Sequence, residues 1–235
     1  MTDKLVSVII PSYQRFEELK ESIDSVLLQN YPNIEVIVID DCSNDNRYLT
    51  LKEIYKYKNV NIIHLPINMK EKYKLNAAQG LTRNVGLQIA KGEWIAFLDD
   101  DDAWCDSNKL KEQINAMIKY NCLLCSSNMI AGYGKYSHNN TKSTYFNEYF
   151  RLGIEQEDKI FKFTRKDIDT TNYINNSTCI LHKTIVDKVG LFKGENTEDY
   201  DYWLRSLIYT EGIYIHKPFV YYDLSHAGQK HYVYT

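Results

Sequence analysis

Four consecutive aspartates, Asp99, Asp100, Asp101 and Asp102, are the most chemically distinctive feature of the sequence. They follow residues 94–98, an uncharged run with strand character that predicts a strand buried on both faces. Adjacent carboxylates repel one another and raise one another's pKa, so four of them at the mouth of a core strand require positive charge nearby. We expect a divalent cation to supply that charge.

The spacing of these aspartates suits a hard metal ion. In an extended chain Asp99 and Asp101 would share one face, and Asp100 and Asp102 the other. Mg²⁺ and Mn²⁺ favour oxygen ligands and usually take one or two protein carboxylates together with substrate phosphates. The alternative is an acidic loop that leads into a helix near Asp106, where negative charge favours the helix N-terminus. The metal site is favoured because four acids exceed what a helix start requires.

Two other polar stretches end predicted strands, and they suit a nucleotide base. Asp41 follows the run of residues 34–39, where its carboxylate could accept a hydrogen bond from a base N–H. Pro11, Ser12 and Tyr13 close the first strand, and the backbone of Ser12 and Tyr13 offers donors and acceptors in the neighbouring crevice. For Asp41 the equally supported alternative is an Asx-type turn within residues 40–43.

A basic residue precedes the predicted strand of residues 94–98. Arg83 belongs to a predicted helix, from which its guanidinium could meet a diphosphate bidentately if it faces the crevice. A solvated arginine on the helix face is the alternative. Gly86, three residues later, would let this helix lie close to the sheet.

A second acidic group begins a predicted helix near the C-terminus. Asp199 and Asp201 lie in the first turn of residues 197–209, where acids favour the helix dipole. Both acids could serve only to stabilise the helix dipole, or one of them could act as a general base. We favour Asp199 as the base, because the apolar stripe of this helix turns Asp201 onto a different face.

Strands and helices alternate in the elements that must position these residues. The pattern predicts a mostly parallel α/β sheet flanked by helices, in which ligands collect at the carboxyl ends of the strands. The predicted strands are residues 5–10, 34–39, 60–65, 94–98 and 122–130, and the predicted helices are residues 15–30, 47–57, 76–90 and 107–120.

The pattern is less regular beyond residue 131. Residues 131–171 suggest edge hairpins and loops, and order returns with a strand at 177–182 and a helix at 183–189. No linker marks a second domain, so residues 1–235 are expected to form one domain. Its residues 1–130 would be the nucleotide-binding half, and residues 131–235 the acceptor-side half.

Composition excludes several classes of function. A net charge of −3 over 235 residues gives no support for binding of nucleic acid through neutralisation of its phosphates. No stretch approaches the roughly 18 apolar residues of a membrane span. Five cysteines, with no secretory signal before them, favour reduced thiols and a cytoplasmic location. Oligomeric state has no signature in the sequence.

Taken together and in order, these motifs resemble the inverting family 2 glycosyltransferases of the GT-A fold, a Rossmann-like α/β domain. The resemblance covers nearly the whole chain and is weakest between residues 131 and 175. The matching segments are residues 6–13, 35–43, 83–86, 91–102 and 198–205.

The resemblance implies a role for each candidate residue. Pro11, Tyr13 and Asp41 would bind uracil, and Asp101 would ligate Mn²⁺ or Mg²⁺ that bridges the diphosphate of a nucleotide-sugar, with a UDP-sugar as the expected donor. Asp199 would be the general base toward a carbohydrate or glycoconjugate acceptor. Asp99, Asp100 or both would lie beside the ribose. His226 stands where many members carry a histidine that contacts the metal or the diphosphate.

Two other functions share part of this pattern. A sugar nucleotidyltransferase also uses metal-bound carboxylates, but it typically binds its triphosphate with a glycine-rich basic loop after the first strand. Residues 11–15, which occupy that position here, contain no glycine. A non-catalytic module that binds nucleotide-sugar or glycan is the second alternative.

Overall fold

The structure, a computed structural model, describes residues 4–136, 141–145, 160–169, 172, 174–194 and 197–225. The strands are β1 (Val6–Ser12), β2 (Ile34–Asp40), β3 (Val60–His64), β4 (Trp94–Phe97), β5 (Ala103–Trp104), β6 (Leu124–Gly132), β7 (Thr141–Tyr145), β8 (Ile160–Phe163), β9 (Ile180–His182) and β10 (Gly212–Asp223). The helices are α1 (Phe16–Leu27), α2 (Leu51–Ile54), α3 (Met69–Tyr73), α4 (Gln79–Ile89), α5 (Lys109–Tyr120), α6 (Lys183–Val189) and α7 (Glu198–Ser206).

These strands form one continuous sheet in the order β3-β2-β1-β4-β9-β6-β10-β5, with β7 paired to β6 and β8 to β10. The longest registers are parallel, between β6 and β10, β1 and β2, and β2 and β3. Strand β9 runs antiparallel to both β4 and β6 and so joins the two parallel regions. The predicted mostly parallel α/β sheet is therefore confirmed.

The sheet has an apolar core on each face because β1 and β4 are uncharged and bury alternate side chains on both sides. Val8 and Ile10 of β1 pack into one cluster with Leu19 and Ile23 of α1. Ile9, which points the other way, packs into a second cluster on the side of α4 and α7. Helices on both faces thus hold the carboxyl ends of β1, β2 and β4 at one edge of the sheet.

Three elements were not predicted from the sequence. Strand β10 contains Lys217 and Pro218, and its register with β6 shifts on either side of Pro218. Its sequence therefore lacks the regular alternation of apolar and polar residues that would predict a strand. Residues 221–223 are the end of this strand. Helix α3 and strand β5 span only five and two residues, respectively, which is too short for periodicity to reveal.

Gly86 brings α4 close to the sheet, as expected. A Cβ at this position would lie 2.5 Å from Cγ2 of the buried Ile9. Because that methyl is fixed to the Cβ of a core strand residue, the helix itself would have to move.

Gly86→Ala is therefore expected to lower the free energy of unfolding by about 1–3 kcal/mol, although alanine is the better helix former. Urea denaturation monitored by circular dichroism measures this change. Gln88→Ala, on the exposed face of the same helix, is the control and should stay within about 0.5 kcal/mol of the wild type. An unchanged or raised stability of Gly86→Ala would show that the helix is not held this closely.

Two structural findings bear on the expectations about membrane spans and cysteines. Among the residues that the structure describes, none of the helices has the length and apolar content needed to cross a membrane. All five cysteines lie within the described residues and carry free thiols.

Candidate active site

The four aspartates form a turn directly after the core strand β4. Their burial alternates, with Asp99 and Asp101 partly exposed and Asp100 and Asp102 buried. The backbone is nevertheless not extended, because the N–H of Asp102 donates to the carbonyl of Asp99 at 3.1 Å. The turn gives each carboxylate a different set of partners.

Two of these carboxylates are held by the protein itself. Asp100 accepts hydrogen bonds from the backbone N–H of Tyr13 (3.1 Å) and from Nη1 of Arg15 (2.9 Å). Asp102 accepts from the hydroxyl of Ser177 and from the backbone N–H of Asp223 (3.2 Å). Burial raises the pKa of both carboxyls. Through these contacts Asp102 connects the turn to the end of β10 and to the segment before β9, which is a structural role.

Arginines also supply part of the positive charge that the sequence assigns to a metal ion. Nη1 of Arg15 lies 3.2 Å from Oδ2 of Asp101 as well as contacting Asp100. Nη2 of Arg83 pairs with Asp99. The acidic turn is therefore neutralised in part by side chains from the loop after β1 and from α4.

Asp101 is the carboxylate best suited to an added cation. Its side chain borders an open cavity of about 330 Å³, and it has no cation other than Arg15 among the ion pairs of the described residues. Burial, and then the charge of Asp100, raise the pKa of Asp101 to about 7, which a bound cation would reverse.

A protein-only metal cage is absent from the described part of the chain, where no group of three or more histidine, cysteine, aspartate or glutamate side chains could hold a metal ion. One carboxylate, completed by the phosphates of a ligand, still fits Mg²⁺ or Mn²⁺. His226, the other predicted metal contact, lies outside the described residues.

A second cavity, of about 350 Å³, lies at the carboxyl ends of β1 and β2. It brings together five residues that the sequence assigned to the nucleotide. They are Pro11, Ser12, Tyr13, Asp41 and Asp100. The cavity is also lined by side chains that sequence reasoning missed, including Arg15, Asn68, Lys70 and Thr82.

Asp41 is held by the segment that begins α3. Its Oδ1 accepts from the N–H of Met69 at 2.8 Å, and its Oδ2 accepts from Nδ2 of Asn68 at 3.1 Å. The Asx-type contact in this loop is made instead by Asp40, whose Oδ1 accepts from the N–H of Ser43 at 3.1 Å. Asp41 is therefore oriented toward the cavity rather than used as the cap of its own loop, and burial raises its pKa.

Arg83 is neither on a solvated helix face nor free in the crevice. Its side chain is 3% exposed, and its two terminal nitrogens pair with Asp99 and, at 3.1 Å, with Oε1 of Glu198. Its Nε is buried and has no hydrogen-bond partner among the residues that the structure describes. This guanidinium links the end of β4 to the start of α7.

Asp199 lies one residue beyond Glu198, in the first turn of α7. Its Oδ1 accepts from the N–H of Tyr200 at 2.7 Å, and Nδ2 of Asn172 lies 3.4 Å from its Oδ2. Desolvation, followed by the charge of Glu198, raises the pKa of Asp199 to about 6, against the opposing attraction of Arg83. A carboxylate with this pKa is ionised at neutral pH and is basic enough to take a proton.

The surroundings of Asp201 differ from those of Asp199. It pairs with Nζ of Lys193 at 2.9 Å and with Nε of Arg205 at 2.8 Å. Burial acts to raise its pKa, but these hydrogen bonds leave the pKa below its usual value. Asp201 therefore holds the surface of α7 together and is a weak base.

The signals for the residues that were missed are weak in the sequence. Arg15 lies only two residues beyond Tyr13, and the absence of glycine in that loop was its one noted feature. Ser177 donates to Asp102 and accepts from the N–H of Asp99 at 3.0 Å, although 75 residues separate it from Asp102. Contacts over such distances leave no local pattern.

The sequence of the chain matches a family model and several curated proteins. The family model described as glycosyl transferase family 2 matches residues 7–190. The chain is 33% identical over 213 residues to UDP-Glc:alpha-D-GlcNAc-diphosphoundecaprenol beta-1,3-glucosyltransferase WfgD of Escherichia coli, covering 88% of this chain and 71% of that one. It is 34% identical over 119 residues to the putative teichuronic acid biosynthesis glycosyltransferase TuaG of Bacillus subtilis, covering 50% of this chain and 44% of TuaG.

Solved structures show the same fold. TarS 1-349 of S. aureus in complex with UDP-GlcNAc gives a TM-score of 0.71 at 23% identity, over 93% of this chain and 58% of that one. Mannosyltransferase PcManGT of Pyrobaculum calidifontis, in complex with GDP-Man and Mn²⁺, gives 0.67 at 14% identity, over 96% and 58%. The chain thus spans little more than half of each of these structures. The predicted GT-A fold is confirmed, and the match over residues 7–190 shows that the chain belongs to glycosyl transferase family 2.

Proposed function

We propose that this chain is a metal-dependent, inverting glycosyltransferase that moves a sugar from a UDP-sugar to an acceptor hydroxyl. The observation that carries the proposal is the bridge through Arg83, which joins Asp99 of the aspartate turn to Glu198, the neighbour of Asp199 in the chain. A site for a nucleotide diphosphate and a carboxylate with the properties of a base therefore border one region of the molecule.

The nucleotide would bind in the cavity lined by Pro11, Ser12, Tyr13, Asp41 and Asp100. The ribose is proposed to lie beside Asp100, with Asp99 next to it in the chain. A carboxylate oxygen of Asp41 has lone pairs left to accept a base N–H, as uracil offers. The name of WfgD specifies UDP-Glc, and TarS was solved with UDP-GlcNAc, which favours uridine over the guanosine of PcManGT.

The diphosphate would extend from this cavity toward Asp101 and Arg15. Mn²⁺ or Mg²⁺ held by Asp101 would supply Lewis-acid stabilisation of the negative charge on the leaving diphosphate. Arg15, already 3.2 Å from Asp101, contributes a second positive charge on the same side. His226 is proposed as a further contact to the metal or the diphosphate.

Asp199 would take the proton of the acceptor hydroxyl. As the proton moves to Asp199, the acceptor oxygen forms a bond to the anomeric carbon, and the bond from that carbon to the diphosphate oxygen breaks. Direct displacement of this kind inverts the anomeric configuration, because the carboxylate activates a hydroxyl and does not attack the sugar itself.

The acceptor is proposed to be a carbohydrate or glycoconjugate. The name of WfgD specifies a GlcNAc attached through diphosphate to undecaprenol, so a lipid-linked sugar is one such acceptor to test. Acceptor specificity is assigned to residues 131–175, where the sequence departs most from the regular pattern of the family.

Turnover should depend on pH through Asp199. Because the base must be ionised and its pKa is about 6, kcat should be level above that pH and fall about tenfold per unit below it. A pH profile of kcat at saturating donor and acceptor measures this limb. The residual rate of Asp199→Asn should lack the limb, and a wild-type profile that is level down to pH 5 would contradict the assignment.

The test of the function itself is a screen of nucleotide-sugars for release of UDP in the presence and absence of Mn²⁺, with proton NMR of the product to give the anomeric configuration. A glycosyltransferase releases nucleoside diphosphate and forms a product of inverted configuration. A nucleotidyltransferase would instead consume or release pyrophosphate, and a binding module would release nothing. Either of the last two results would overturn the proposal.

A further inference from the structure

The Arg83 side chain joins the aspartate turn to the start of α7, and the proposed reaction requires these two parts to keep a fixed relative position. It is almost fully buried in α4, and its fork-shaped guanidinium contacts Asp99 through Nη2 and Glu198 through Nη1. Asp99 is fixed independently, because its N–H donates to Ser177 at 3.0 Å. The position of Glu198 at the start of α7 is therefore defined relative to the aspartate turn.

Gly80 shows that α4 and the start of α7 are closely fitted at this point. A Cβ on Gly80 would lie 2.5 Å from Cγ and 3.3 Å from Cβ of Glu198, and 3.0 Å from Cβ of Phe192. The stem of Glu198 thus passes over the one residue of this turn that has no side chain. Room for the Glu198 carboxylate to reach Arg83 depends on that glycine.

We infer that Arg83 is a positioning residue, which fixes the first turn of α7, and with it the carboxylate of Asp199, relative to Asp99 at the donor site. The inference rests on the proposed function, since it concerns the placement of the proposed base. Arg83 acts through Glu198 and Asp99 and is not assigned a contact with substrate. Its geometry suits this role, because an arginine fork can hold two carboxylates in fixed directions and a lysine cannot.

The charges around Asp199 give the inference an electrostatic signature. The groups that act on Asp199 are Glu198 and Asp99, which raise its pKa, and Arg83, which lowers it, with the amide of Asn172 and the N–H of Tyr200 as neutral neighbours. Removal of the Arg83 charge should raise the pKa of Asp199 above about 6, and removal of the Glu198 charge should lower it.

Two substitutions therefore test the bridge from its two ends. Arg83→Met and Glu198→Gln should each lower kcat by about 10- to 100-fold, because a base displaced by about 1 Å loses its alignment, while the Kd for UDP changes less than about fivefold. Arg83→Lys should recover only part of the loss. Arg205→Met is the matched control, because it removes an arginine that pairs with Asp201 on the same helix, and kcat should stay within about threefold of the wild type.

The direction of the pKa change separates positioning from general loss of structure. Carbon-13 NMR of labelled aspartate carboxyls, with Asp199 assigned by its loss in Asp199→Asn, should show the pKa of Asp199 moved up in Arg83→Met and down in Glu198→Gln. A purely structural role predicts lower thermal stability in both variants without opposite shifts. Opposite shifts with reduced kcat support the inference, and an unchanged pKa or unchanged kcat in both variants overturns it.

The NMR measurement does not depend on turnover, so the electrostatic action of Arg83 and Glu198 on Asp199 can be tested even if no donor is transferred and the proposed function fails. If Arg83→Met does not fold, Gly80→Ala replaces it. A methyl at that position pushes Glu198 from Arg83 while leaving both charges in the chain. Gly80→Ala should then lower kcat as Glu198→Gln does, and an unaltered kcat would overturn the inference.

Discussion

Asp199→Asn is expected to lower kcat for sugar transfer by about 10²- to 10⁴-fold, the usual contribution of a general base. Asparagine keeps the size of the side chain and its contact with the N–H of Tyr200, but it cannot accept a proton. The proposed donor site lies elsewhere, so the Kd for UDP in the presence of Mn²⁺ should stay within about twofold of the wild type. Steady-state kinetics with the donor found by screening and calorimetric titration of UDP measure the two quantities.

Asp201→Asn provides the control for this substitution. It removes one carboxylate from the same helix turn, but Asp201 pairs with Lys193 and Arg205 at the surface and faces no ligand cavity described above. Its kcat should remain within about threefold of the wild type, with only a small loss of stability. Normal turnover by Asp199→Asn, or a larger loss in Asp201→Asn, would show that the base lies elsewhere.

Asp101→Asn is expected to remove the response to metal. In the wild type, Mn²⁺ should strengthen UDP binding and support turnover, because an ion held by Asp101 would offset the negative charge of the diphosphate. In Asp101→Asn the added ion should have little effect on the Kd for UDP, and kcat/KM should fall by at least about 100-fold. The neutral side chain also leaves Arg15 paired with Asp100, so the cavity that receives the nucleotide should keep its shape.

Glu112→Gln controls for the change in net charge. Glu112 lies on α5 and pairs with Lys217, away from both cavities. This variant should respond to Mn²⁺ as the wild type does. If Asp101→Asn retained full Mn²⁺ dependence, the metal would have to be held by other residues.

The sequence predicts the first half of the fold well because local chemistry decides it. Strands β1, β2 and β4 are apolar runs that end at polar residues, and each buries nearly all of its side chains. Strand β10 depends instead on its neighbours, since it is paired with β6 on one side and with β5 and β8 on the other. Long-range pairing of this kind tolerates Pro218 at a bulge, which a local pattern treats as a break.

The same distinction explains the site. Asp41, Asp99 and Asp101 could be assigned to the ligand edge because they follow core strands directly. The environment of Arg83 could not be predicted, because its partner Glu198 is 115 residues away and a buried arginine has the same helical spacing as an exposed one. The positive charge around the aspartate turn was likewise attributed to an ion alone, whereas Arg15 and Arg83 supply part of it.

The most direct test of the central proposal is a crystal structure of the protein with UDP and Mn²⁺, with the metal located by its anomalous scattering. The proposal predicts a peak within about 2–2.5 Å of an Asp101 carboxylate oxygen and of the diphosphate, with uracil in the cavity beside Asp41. UDP bound without a metal at Asp101, or bound outside the crevice between Asp41 and the aspartate turn, would contradict it.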